Sequence, residues 1–139
     1  MRKSVINVIE QILSKIGSGK FITLHSRNAH NELSLLLDKY NVAPVCFHYF
    51  IGGPDAAVKL VDRGHYFSIN SRMLKSKHHK ILDVIPKNKI LVESDGPFLT
   101  KRPLLELKKV YSELGKIWNT EFKHTVDIIE KNFFKCRTV

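Results

Sequence analysis

The chain is short of cysteine, of acidic residues and of long apolar runs. Two cysteines in 139 residues exclude a disulfide-built scaffold, and neither has the partner spacing of a zinc site. Cys46 lies in an apolar run and Cys136 near the tail, so both are expected to stay reduced. No apolar stretch approaches the ~20 residues that cross a bilayer. The start, Met1-Arg2-Lys3-Ser4, leads into a helix-patterned segment and not into the apolar block of a secretory leader. A cytoplasmic location is therefore expected. No internal repeat, linker or low-complexity block divides the chain, and a 43% hydrophobic content suits a single domain over 1–139 with one core.

The deficit of acids makes the charge lopsided. Only 13 Asp and Glu stand against 23 Lys and Arg, for a net charge of +10. Such an excess favours contact with a polyanion, nucleic acid above all. It is densest between Arg72 and Lys89, where Arg72, Lys75, Lys77, Lys80, Lys87 and Lys89 face only Asp83. A solvated helix face is the alternative reading of that stretch.

What is present is alternation. Val5, Ile9, Ile12 and Ile16 recur at helical spacing, with Gly17-Ser18-Gly19 as the stop before an expected strand at 21–25. A second helix, from about Ala29 to Tyr40, puts Leu33, Leu36 and Leu37 on one face ahead of a strand at 44–48. Gly52-Gly53-Pro54-Asp55 turns the chain into a helix carrying Ala57, Leu60 and Val61. A short strand from Tyr66 to Ile69 follows Gly64. The basic segment then carries Ile81, Leu82 and Ile85 as its apolar stripe, and Pro86 ends it before a strand at 89–94. Two helices close the chain, one lined by Leu104, Leu107, Tyr111, Leu114 and Trp118, the other by Phe122, Val126, Ile129 and Phe133. This order predicts an α/β fold, a parallel sheet of about four strands covered by helices.

Three of the apolar runs end in residues able to bind a metal. Phe21-Ile22-Thr23-Leu24 ends in His25-Ser26-Arg27, and Pro44-Val45-Cys46-Phe47 ends in His48-Tyr49-Phe50. Ile90-Leu91-Val92 rises into Glu93-Ser94-Asp95 before Gly96-Pro97. Each device alone reads equally well as a satisfied strand-end histidine or a turn aspartate. Together, at the carboxyl ends of strands where parallel α/β proteins hold their chemistry, two imidazoles and a carboxylate make part of a divalent-metal site.

The runs His25-Ser26-Arg27-Asn28-Ala29, His48-Tyr49-Phe50-Ile51-Gly52-Gly53, Gly64-His65-Tyr66-Phe67-Ser68-Ile69-Asn70 and Val92-Glu93-Ser94-Asp95-Gly96-Pro97-Phe98 resemble, in order and spacing, the second half of the TatD-family metal-dependent deoxyribonucleases. Among the branches, Gly64 to Ser68, Glu93 to Phe98 and Lys116 to Asn119 are most similar to the TatD-like nuclease of the Qat anti-phage system. The resemblance implies the C-terminal half of a TIM-barrel-type metallo-dependent hydrolase that cuts phosphodiester bonds in DNA with divalent ions, Mg, Mn or Zn. It carries His25 and His48 onto two imidazole ligands, and Asp95 onto a ligand that also orients or deprotonates the attacking water. Arg27 is matched to a phosphate contact, with a structural ion pair as its alternative. Glu93, two residues before Asp95, is expected beneath the ligands and not among them.

The departures matter as much. The family's His-x-His pair and bridging Glu have no counterpart before His25, and Ile51 replaces the family's small serine. Half of a barrel that typically takes ~250 residues leaves sheet edges and an inner layer to be covered. A separate chain supplying the N-terminal half, pairing of two copies face to face, or a truncated remnant whose sheet recloses without a competent site are the three outcomes. Two further functions stand beside the nuclease: a catalytically silent nucleic-acid-binding or assembly subunit, and a metallohydrolase of the same superfamily acting on a small ester or amide.

Overall fold

Three of the four apolar runs become strands shorter than their sequence suggests, because ladder pairing extends only where neighbouring runs stay in register, while the run at Tyr66–Ile69 is a strand over the expected residues. In the computed structural model, which describes residues 3–16 and 20–137, the strands are β1 (Thr23–His25), β2 (Cys46–His48), β3 (Tyr66–Ile69) and β4 (Ile90–Val92). They form one parallel sheet in the order β1-β2-β3-β4. The helices are α1 (Lys3–Leu13), α2 (His30–Lys39), α3 (Pro54–Asp62), α4 (Ser71–Lys75), α5 (Pro103–Trp118) and α6 (Phe122–Arg137). The expected α/β class, with four parallel strands flanked by helices, is the observed one.

Register sets up the two faces. Phe47 pairs with Phe67 and Phe67 with Ile90, so one face is a continuous apolar layer. Buried Leu37, Phe50, Leu60, Met73, Val110 and Leu114 pack into the same core. On the opposite face, His25, His48 and Ser68 are neighbours across three strands. One step below them lie Thr23, Cys46 and Tyr66. Strand alternation puts Leu91 and Glu93 on this second face as well.

Helix α6 covers much of the second face. Its Cys136 is buried with Cys46, Tyr66 and Leu91, and its Asn132 side chain donates to the carbonyls of Lys87 and Ile90, at 2.7 and 2.8 Å. Phe133 reaches across to Phe21, just ahead of β1, with ring centroids 5.4 Å apart. The two cysteines are free. Burial pushes the Cys46 thiol up to about 12 and the Cys136 thiol up to about 11, so neither is a thiolate near neutrality.

Three expectations change. The α1 stripe is rotated, since Leu13 is the buried residue while Val5 and Ile12 are exposed. The stop at Gly17-Ser18-Gly19 lies outside the described residues. In α6 the buried line is Thr125, Ile129, Asn132 and Cys136, with Phe122 and Phe133 partly exposed. A helix that must satisfy backbone carbonyls at the foot of β4 turns Asn132 inward, which hydrophobic periodicity does not anticipate. The basic segment is not one helix. Ser76, in extended conformation, ends α4 and its hydroxyl accepts from the His78 amide, starting a 3-10 turn over Lys77–Asp83. No helix among the described residues is long and apolar enough to cross a membrane.

His65 lies fully buried beside Phe47. Its Nδ1 accepts from the Val45 amide at 3.4 Å, and Nε2 has no partner among the described residues. Burial pushes this imidazole down to about 4 from the usual 6.5. With the folded value depressed, the neutral form's contribution is complete above pH 6.5 and is lost as pH falls towards 4, on the order of 3 kcal/mol in full. Thermal melts between pH 7 and pH 4 are expected to fall less steeply for His65→Gln than for the parent chain.

Candidate metal centre and anion cleft

The carboxyl ends of the strands meet at Glu93. Its carboxylate accepts from His48 Nδ1 and from the Ser68 hydroxyl, and from Asn70 Nδ2 at 2.8 Å. Asn70 Oδ1 in turn accepts from the Met73 amide at 3.0 Å, capping α4. One nearly buried carboxylate thus ties β2, β3, β4 and α4 together. A buried anion is tolerated only when its oxygens are satisfied in this way. Glu93 thus faces His48, Ser68 and Asn70.

Donating Nδ1–H to Glu93 fixes the ring of His48 and turns Nε2 to the solvent side, 3.4 Å from Asp95 Oδ1. A carboxylate holding the far nitrogen of a metal-ligating imidazole is a recurrent arrangement in metal sites. An imidazole lone pair and a carboxylate oxygen that close repel unless a proton or a cation lies between them. The His25 ring stands 5.1 Å from that of His48, centroid to centroid. The structure therefore brings the three expected residues together. They fit one flank of a metal centre and do not close it, for among the described residues no group of three or more His, Cys, Asp or Glu side chains is gathered tightly enough to hold an ion.

The backbone is bent where these side chains emerge. Arg27, Asn28, Tyr49 and Asp95 have φ of 22°, 67°, 45° and 49°. Positive φ at non-glycine residues is uncommon, and here three strand-end loops share it, as happens at functional sites that the surrounding fold holds in place.

Above the flank opens a cleft of about 820 Å³, lined by His25, Arg27, His48, Asp95, Arg72 and His78, with Tyr49, Ile51, Phe98 and Leu99 on its walls. Arg27 is on this cleft. So are two members of the basic segment, whereas Lys87 and Lys89 go elsewhere. Lys87 donates to the Trp118 carbonyl at 3.2 Å, and Lys89 to the Gly64 carbonyl at 2.8 Å with its ammonium over the Tyr66 ring. The segment is thus divided between cleft lining and scaffold hydrogen bonds.

Sequence reasoning missed Ser68 and Asn70 as Glu93's donors, and Arg72, His78 and Phe98 as cleft residues. A signal existed for the first two. Ser68 lies in a strand whose every residue is buried and Asn70, two residues on, is buried just past its end, and buried polar groups require partners. Arg72 and His78 arrive by a break at Ser76 that carries no comparable mark.

A parallel sheet with imidazoles and a carboxylate at the carboxyl ends of its strands, under a cationic cleft, defines an α/β protein of metallo-hydrolase type. Comparison with known proteins narrows this. The model of the TatD related DNase family matches residues 9–137. An uncharacterized metal-dependent hydrolase of Methanocaldococcus jannaschii is 30% identical over 128 residues, 85% of this chain and 50% of that protein. The 3'-5' ssDNA/RNA exonuclease TatD of Salmonella typhimurium is 32% identical over 89 residues, 60% of this chain and 34% of the exonuclease. Deoxyribonuclease Tat-D of Schizosaccharomyces pombe is 33% identical over 84 residues, 58% of this chain and 27% of that enzyme. The chain belongs to the TatD-related DNase family, and it spans half or less of the length of these relatives.

Replacing Glu93 strands three donors at once. Glu93→Leu is expected to lower stability by on the order of 3 kcal/mol in urea unfolding, while Ser68→Ala costs about 1 kcal/mol. Equal, small losses for both would remove Glu93 from its central place.

Proposed function

We propose that this chain is the C-terminal, ligand-bearing part of a TatD-type metal-dependent deoxyribonuclease that cleaves phosphodiester bonds in DNA. The observation that carries this reading is the convergence of His25, His48 and Asp95 beneath a cleft that also takes Arg27, Arg72 and His78. In it, His25, His48 and Asp95 hold divalent metal, Mg, Mn or Zn, which when bound supplies Lewis-acid stabilisation of the phosphate. Glu93 keeps His48 in the tautomer that presents Nε2. Asp95, poised in a left-handed turn at the lip of β4, orients the attacking water and accepts its proton. Arg27 and Arg72 neutralise the phosphate oxygens.

The remaining ligands come from the other half of the barrel. Supporting this are the edge of β1, which has no strand beyond it among the described residues, the exposed Val5, Val8 and Ile12 of α1, and relatives of at least twice the matched length. Likeness at Gly64–Ser68, Glu93–Phe98 and Lys116–Asn119 supports an anti-phage branch. A cytoplasmic setting suits its two free, buried thiols.

The ungathered ligand set and the net charge of +10 favour a second reading, a catalytically silent subunit that binds nucleic acid. The two separate on metal dependence. Release of nucleotides from single-stranded DNA in Mn²⁺ or Mg²⁺, abolished by chelator and reduced at least about 100-fold by Asp95→Asn, is the expected result. DNA held equally well in chelator, with affinity falling steeply as salt rises and no release under any metal, would establish the silent subunit instead.

A further inference from the structure

Phe98 is an apolar side chain left in water. It is 88% exposed, beyond any other large apolar side chain described, and it belongs to neither buried cluster. Three residues before it stands Asp95. The Leu99 amide donates to the Asp95 carbonyl at 2.8 Å, which closes the turn and holds the ring at the mouth of the cleft. A Cβ on Gly96 would lie 3.2 Å from the Thr100 carbonyl oxygen, so this turn is tightly folded and its tip is fixed by backbone contacts.

Two chemistries meet at this mouth. The cleft is lined by Arg27, Arg72 and His78, and its lining also includes the exposed ring of Phe98. A cationic track beside a bare ring fits a ligand that is anionic along its backbone and planar in its side groups. An acidic peptide would use the cations but leave the ring in water. A lipid surface would use both, yet would require the ring to project from a convex apolar patch, and Phe98 instead lines a concave cleft.

We infer that Phe98 is a nucleobase-stacking platform that receives an unpaired base of single-stranded DNA while the adjoining phosphate lies between Arg27 and Arg72. The inference rests on the nuclease reading for its ligand and adds the residue that selects the strand form. A base inside a duplex already has both faces occupied by neighbours and its edge paired. Only a base at a single-stranded end or in an open strand reaches the ring without an unstacking cost.

The test is binding by the full chain in chelator, where no strand is cut, with short DNA carrying 5-iododeoxyuridine at successive positions from either end. Illumination joins that base to an aromatic ring stacked on it, and the adduct is mapped by mass spectrometry. An adduct at Phe98 is expected from single-stranded DNA and not from the same strand annealed to its complement. Phe98→Tyr should retain it. Phe98→Leu, which keeps apolar bulk without a ring, should lose it and bind about 10-fold more weakly with an unchanged dependence on salt. Arg72→Ala should instead flatten the salt dependence. Because Phe98 is so exposed, both of its variants are expected to melt like the parent chain. Undiminished binding by Phe98→Leu, or an adduct only at another ring such as Tyr49, would overturn the platform while leaving the nuclease reading intact. Absence of DNA binding by the parent chain at low salt would overturn both.

Discussion

The carboxylate of Glu93 is the point on which the rest of the site depends. A charge in so little water must be fully hydrogen-bonded, and its three donors come from β2, from β3 and from the cap of α4. Satisfying it therefore aligns the carboxyl ends of the strands. The same bonds fix the ring of His48 and so determine which nitrogen faces Asp95. Stability and chemistry share one group, and the cost of burying it is offset by the order it imposes on the ligand row.

The length of the chain sets the second constraint. A parallel sheet of four strands has two faces to cover and two edges to leave open, and with the strands in sequence order right-handed crossovers put the helices between them on one face. Helix α6 takes much of the other, through Cys136, Asn132 and the contact of Phe133 with Phe21. Between that helix and the sheet remains a space of about 560 Å³, lined by residues such as Thr23, Cys46, Leu91, Val126 and Phe133. That space is open on one side and reaches His48, Ser68 and Glu93 at the carboxyl ends of the strands. Docking of a second half-barrel onto the same face would require α6 to yield its place, which makes this helix the element that distinguishes a self-closed chain from half of an assembly.

The apolar runs, the turns between them and the residues at their ends were legible because each is a local property. An apolar run bounded by turn residues can do little but form a strand, and alternation with helices in a short chain leaves the parallel arrangement as the compact solution. His25, His48 and Asp95 could be picked out because each ends such a run. The errors fell where neighbours decide. The stripes of α1 and α6 were misplaced since a helix turns whichever face its surroundings demand, and Asn132 was drawn inward by two carbonyls remote in sequence. The basic segment broke at Ser76 because a hydroxyl capping the next turn outweighed helical continuity.

By itself, then, the order of residues determined the α/β class, the parallel alternation and the three ligand candidates, all of which follow from side-chain periodicity and strand-end position. Only the tertiary structure decided that Ser68 and Asn70 serve Glu93, that Arg72 and His78 turn to the cleft while Lys87 and Lys89 are spent on backbone carbonyls, and that Phe98 is left bare. The reason is physical. Hydrogen bonds to a buried charge and the partition of cations between scaffold and cleft depend on distances between residues about 20 to 45 positions apart, and no local pattern encodes those distances.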